Sequence, residues 1–417
     1  MDSTQRPLQE MFEKSSQEHV LETVLSKAIC ELLKLHGTQM NKSQMARVQR
    51  SIRSGDLQNL KIPLTKKQQK LVGNKKLDLA SLSSDTLERL HRETWSRFEP
   101  NIPAKLLAIA DSISSVLERG VKKRIAVELR VRRKQETNFQ KRLRRRWRRP
   151  LDLLQTLVFI AVEAGENASN DLRSRRPQHT RSVLFRLHAR ACQVAHEIVA
   201  LLQSGFADGA HARWRTLHEL AVTAFFIAEH GDAVAQRYLR HHGIETFKAA
   251  EQFQKYCHRL GYTSLTNRQF AAVARRRERL IQRFGKSFST DYGWADSIIQ
   301  NGRPTFRDIE ERVQLDHMRP HYKLACNNVH AGAKGAFERL GLYDHEADVL
   351  LAGPSSIGLA DPGHAAAISL SQITTCLLLV EPSLDNFVVI RLLDRLAKQV
   401  GQDFLRVQNA AEAAAVP

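Results

Sequence analysis

Between Ser204 and Gly231, Trp214, Leu217, Ala221, Ala224, Phe225 and Ala228 recur every three or four positions. That is the spacing of one helix face. The run predicts a helix of about five or six turns, with Asp208 as its N-cap and a stop near Gly231. A second set, His211, Arg215, His218, Glu219 and Val222, repeats at the same spacing on another face. Two histidines, an arginine and a glutamate there make either a solvated surface or the wall of a polar site.

The same periodicity predicts helices over 19–35, 41–52, 151–163, 181–204, 233–260 and 266–284, and a buried helix over 365–380. Residues 167–180 read as a polar loop. The two helices flanking His36-Gly37-Thr38 fit a helix-turn-helix or, as the commoner arrangement, a plain helical hairpin. A helix over 319–337 sets Lys323, Asn327, His330 and Lys334 on one face and Tyr322, Ala325, Val329 and Ala336 on the other. From 151 onward nothing alternates with the period of a strand, so the expected class is all-α, a helical bundle with a basic, helical N-terminal region. The expected boundaries are an N-terminal helical region at 1–118, a basic helix or linker at 119–150 closed by Pro150, a bundle at 151–405 and a tail at 406–417.

Charge changes this picture. The 417 residues carry a formal charge of +20 and a pI near 10.0, a balance that points to a polyanionic partner. The excess is clustered: residues 119–149 hold fifteen Lys or Arg against Glu128 and Glu136. Phe139, Leu143 and Trp147 fall at i, i+4 and i+8, so the block reads as a helix with a thin apolar seam and a cationic remainder. Its alternatives are an anionic membrane surface and a passive charged linker. The candidate phosphate contacts are Lys141, Arg142, Arg144, Arg145, Arg146, Arg148 and Arg149, with Lys323 from the later helix. Five scattered cysteines lack metal-ligand spacing, so no zinc or other metal site is expected and a reducing compartment is the natural home. The first residues lack an apolar run and the 365–380 stretch carries Ser and Thr, so the expectation is a cytoplasmic protein without a membrane span or a cofactor. No P-loop, GxGxxG or GxSxG occurs, which disfavours the usual phosphoryl-transfer, dinucleotide and serine-hydrolase classes.

A linear series then emerges: A-R-W-R-T-L-H-E-L-A-V at 212–222, R-Y-L-R-H-H at 237–242, D-Y-G-W-A at 291–295, Y-K-L-A-C-N-N-V-H-A at 322–331 and G-P-S-S-I-G-L-A at 353–360. Together these resemble an uncharacterised bacterial helical domain family of unknown function, over about 180–385. That family in turn looks like a distant relative of the HEPN superfamily, helical bundles rich in ribonucleases of toxin and phage-defence systems. The resemblance implies a homodimer whose site lies across the two-fold axis, with other defence-system subunits as further partners. It also implies an Arg, four to six residues, then His, with a polar residue after the Arg. Arg213 to His218 has that spacing, but Trp214 is not polar.

Metal-independent RNA cleavage needs a base for the 2′-hydroxyl, an acid for the leaving oxygen and a cation against the phosphate. Histidine and arginine suit those roles. On a regular helix Arg213 and His218 stand about 140° apart, whereas Arg215 and His218 stand about 60° apart. The candidate catalytic set is therefore Arg215, His218, Glu219, His330 and Asn327, with Arg213 as an outlier. RNA is favoured over DNA as the partner. The alternative is a non-catalytic sensor or scaffold that binds nucleic acid or a partner protein, in which Arg215, Glu219 and His330 are structural.

Overall fold

The computed structural model describes residues 5–35, 37–53, 64–73, 84–99, 102–171, 179–330, 332–343 and 349–414. Among them lie fourteen α-helices and no strand. They are α1 (Gln5–Leu35), α2 (Lys42–Arg53), α3 (Lys66–Val72), α4 (Ser84–Phe98), α5 (Ile102–Asp171), α6 (His179–Gln203) and α7 (Ala207–Tyr256), followed by α8 (Asn267–Phe284), α9 (Asp296–Ile299), α10 (Phe306–Arg312), α11 (Arg319–Val329), α12 (Ala333–Phe337), α13 (Ala360–Leu378) and α14 (Leu384–Ala413). The chain divides into two compact units, 1–130 and 131–417, and the boundary falls inside α5. No described helix is long and apolar enough to cross a membrane.

In the first unit Val20, Val24, Ala28 and Leu32 of α1 bury against Leu90 of α4. The next face of α1, Ile29 and Leu33, meets Val48 and Val72. The predicted break after α1 is present: Gly37 takes φ 70, and Thr38 N–H returns to the Leu33 carbonyl at 3.0 Å. Gly37 relieves the strain that a side chain would add there.

The second unit has one continuous core, with α6 and α7 at its centre and α13 packed on both. The buried helix expected over 365–380 is α13, which ends at Leu378, its Ser369, Ser371 and Thr374 enclosed with the apolar residues. The Tyr292-Gly293-Trp294 corner packs Trp294 edge-on against Phe226 and Tyr238. Gly293 is needed there because a Cβ would lie 2.3 Å from the Ser287 carbonyl oxygen.

Five boundaries differ from the sequence reading. Helix α5 continues through Pro150 instead of stopping. The missing N–H costs one helical hydrogen bond, but Trp147, Leu151 and Leu154 bury on both sides of the proline and hold the helix in line. It then runs on to Asp171, into the segment expected as a loop; 172–178 lie outside the described residues. Helix α7 passes Gly231 with a kink, at φ 72 and ψ −158. Asp208 sits inside the first turn of α7 rather than capping it, because its carboxylate accepts the Leu340 backbone N–H at 3.0 Å. The predicted helix over 319–337 is two pieces. His330 is extended (φ −105, ψ 145), and α12 folds back so that Gly335 meets the Asn327 carbonyl, where a Cβ would approach within 2.1 Å. His330 and Lys334 therefore do not continue the face of Lys323 and Asn327.

Candidate functional site

Helix α7 is largely buried on both of its predicted faces, with Arg215 and Glu219 half-buried. His211 and His218 are fully enclosed, as are Trp214, Leu217 and Val222, while Ala228 of the expected apolar stripe is exposed. The second face is thus an internal wall, and a buried polar wall needs partners. They come from α10 and α11. Arg215 Nε donates to Glu219 Oε1 at 3.1 Å and to the Tyr322 hydroxyl at 3.0 Å. That hydroxyl donates to Glu219 Oε1 at 2.6 Å, and the Arg215 guanidinium lies 5.1 Å from the centre of the Tyr322 ring. One turn away, His218 Nε2 bonds Glu310 Oε1 at 2.9 Å, and Arg319 pairs with Glu310 Oε2.

Local sequence explains these placements. Arg215, His218, Glu219 and Val222 recur at i, i+3, i+4 and i+7 and so share one side of α7. Thr305 starts α10 with a capping box to Asp308, which fixes the phase that turns Phe306, Ile309 and Glu310 inward. Pro320 in the first turn of α11 sets the helix on which Arg319 and Tyr322 sit three residues apart. Glu310 is 0 % exposed and would be costly as an isolated carboxylate; its two cationic or protic partners account for its presence. Burial, reinforced by the bond to Glu219, raises the Tyr322 pKa and keeps the hydroxyl a donor.

The expected candidates separate. Arg215, His218 and Glu219 belong to this network. Arg213 points the other way, toward α6, where it pairs with Glu197, in keeping with the wide angle between Arg213 and His218. Asn327 lines a cavity with Asp208, Asn328, Arg339 and Tyr343. His330 is exposed at the end of α11. Among the described residues no hydrogen bond or ion pair joins Asn327 or His330 to the network. Glu310, Arg319 and Tyr322 are the members that sequence reasoning missed. No group of three or more His, Cys, Asp or Glu among the described residues could hold a metal ion.

Two further histidines are buried nearby. His211 stacks on Trp214 with ring centres 5.4 Å apart, and neither ring nitrogen has a hydrogen-bond partner. Burial lowers its pKa to about 4 against an opposing pull from Asp361. Burial also lowers His188, which bonds Thr374 at 3.1 Å, to about 4. Both folded pKa values lie below the unfolded value, so unfolding takes up a proton at each between the two. Stability is fully present above about pH 6.5 and falls as pH drops toward 4, by at most roughly 3 kcal/mol per histidine. Urea unfolding followed by tryptophan fluorescence from pH 7 to 5 is expected to show uptake of at least about two protons, since burial lowers the His364 pKa as well, and His211→Phe to remove about one of them. Equal stability at pH 7 and pH 5 would contradict this.

The cationic segment of α5 forms a separate surface. Its seam is as the spacing predicts: Leu143 and Trp147 are buried and Phe139 half-buried. Trp147 Nε1 donates to the Ser356 carbonyl at 2.8 Å and packs on Phe404. The G-P-S-S turn is thereby the seat of the helix, with Ser355 N–H bonded to the Gly205 carbonyl at 2.9 Å. Every Lys and Arg from Arg132 to Arg149 is exposed. Of these, Arg148 pairs with Asp152 at 3.5 Å and Arg149 with Asp403 at 2.8 Å. The cations from Arg132 through Arg146 have no ion pair among the described residues. Lys323 is exposed on α11, apart from this segment.

Residues 181–347 match the model of a family of unknown function, DUF5677. The match takes in the whole network and begins where the resemblance does, at the start of α6. It ends before the G-P-S-S turn and excludes the cationic segment. No curated protein and no solved structure matches the chain.

Proposed function

We propose that this chain binds nucleic acid through the cationic segment of α5, and that the α7–α10–α11 network holds the bundle together. One observation carries this: a run of exposed, uncompensated Lys and Arg on a helix whose other side is anchored by Leu143 and Trp147. Cations that already face water cost little to bring against phosphates, and they release condensed counterions when they do. A passive linker would not bury a tryptophan on its seam.

A HEPN-type ribonuclease is less well supported. His218 is fully enclosed and bonded to Glu310, so it cannot reach a ribose hydroxyl without opening the core. The exposed His330 has no cationic or acidic partner from α7. Arg215 and Glu219, with about a quarter and a third of their side chains exposed, satisfy each other.

Fluorescence anisotropy with labelled RNA and DNA strands tests the proposal. Affinity is expected to fall with a log–log salt slope of roughly −3 to −6. RNA incubated in EDTA is expected to be bound and to stay intact. Absent or salt-insensitive binding would overturn the proposal. Cleavage lost in His330→Ala would replace it with the ribonuclease.

A further inference from the structure

A polar cavity of about 550 Å³ opens beside the cationic segment, between α5 and the turn from α6 to α7. Its size falls within the ~300–1,000 Å³ of small-molecule sites. Lys141 and Arg144 of the cationic segment line it, and so do Gln155 and Gln203. Leu143 and Leu151, both almost fully buried, are the apolar residues of the lining. One acid, Asp152, lines it and is matched by Arg148 at 3.5 Å.

The walls are fixed by close packing. Gly205, at φ 82, lets the chain turn where a Cβ would meet the Ser355 carbonyl oxygen at 2.7 Å and the Phe139 ring at 2.9 Å. The two glutamines are joined: Gln203 Nε2 donates to Gln155 Oε1 at 3.2 Å. That bond leaves Gln155 Nε2 as a donor and Gln203 Oε1 as an acceptor, without a further protein partner among the described residues. A donor and an acceptor on a joined pair of glutamines, apolar lining residues and two exposed cations match the three parts of a nucleotide. The base edge carries paired hydrogen-bonding groups, its face is apolar, and its phosphate is anionic.

We infer that this cavity takes one unstacked base of a single strand, with Gln155 and Gln203 on the base edge and Lys141 and Arg144 on the adjoining phosphate. The inference rests on the nucleic-acid reading above and adds selection for accessible bases to it. A duplex keeps its bases stacked and paired, and so meets the cationic segment without entering the cavity.

The test compares a single-stranded oligonucleotide with a strand of the same length in which every base is replaced by an abasic residue. Phosphate charge is then equal and only the bases differ. Wild type is expected to bind the base-bearing strand roughly fivefold or more tightly. The double variant Gln155→Ala/Gln203→Ala is expected to bring that ratio to about one. Its affinity for the abasic strand and its salt slope are expected to stay unchanged. Both glutamines lie on the surface of the bundle, and circular dichroism checks that the variant remains folded. Equal binding of the two strands by wild type, or a ratio that survives in the double variant, overturns the inference and leaves nucleic-acid binding standing. Failure of wild type to bind either strand overturns the underlying reading instead.

Discussion

Replacing Glu310 with alanine is expected to destabilise the bundle by about 3–5 kcal/mol, the usual cost of removing one partner from a buried ion pair. Glu310 is 0 % exposed and serves two groups, His218 through Oε1 and Arg319 through Oε2. The two differ in what happens next. Arg319 keeps about a quarter of its side chain in solvent and can turn its guanidinium outward. His218 is 0 % exposed, walled by Trp214, Phe306 and Tyr322, and has no route to water. Its Nε2 would be left without an acceptor in the core, beside a Nδ1 that already lacks a partner. Glu310→Gln keeps the shape and one acceptor, and is expected to cost less, about 1–2 kcal/mol. Urea unfolding read by tryptophan fluorescence separates the three proteins, since Trp214 touches His218 directly. Wild-type stability in Glu310→Ala would mean that the network does not hold α10 and α11 to α7.

Much of this was legible in the chain, and the illegible part has a physical cause. Helical periodicity gave the helices around the core because each buries a stripe whose spacing is local. It likewise put Arg215, His218 and Glu219 on one side of α7, and it separated Arg213 from them. What periodicity does not carry is the partner of a buried polar face. Glu310 lies 92 positions from His218, and Tyr322 lies 103 from Glu219. A signal was present: Phe306, Ile309, Glu310 and Val313 recur at i, i+3, i+4 and i+7, so a glutamate occupies an apolar stripe. A charged residue in such a position asks for a buried counterpart. Tyr322 was placed on the face opposite Lys323 and Asn327, and it is that face, not the polar one, that meets α7. The end of α11 was missed because residues 319–337 fit one helix until the close approach of Gly335 to Asn327 is known.

Converting Arg142, Arg144 and Arg145 to glutamine is expected to reduce nucleic-acid affinity by one to two orders of magnitude at moderate salt, because each lost phosphate contact lowers the salt slope by about 1. These three are the informative choice. They are exposed and have no ion pair among the described residues, so removing their charge takes nothing from the fold. The seam beneath them, Leu143 and Trp147, is untouched, and Trp147 fluorescence should be that of wild type. Arg149 supplies the contrast. It is 2.8 Å from Asp403, whose side chain is 2 % exposed, so part of its charge is already committed to a buried carboxylate. Arg149→Gln is expected to weaken the anchoring of α5 on α14 and to lower stability modestly, with less change in salt slope than any one of the other three, while Arg406 still pairs with Asp403. A triple variant that binds as tightly as wild type, with the same slope, would remove the cationic segment as the phosphate-contacting surface. A triple variant that loses affinity but keeps the slope would show that the loss came from a local change in shape and not from counterion release.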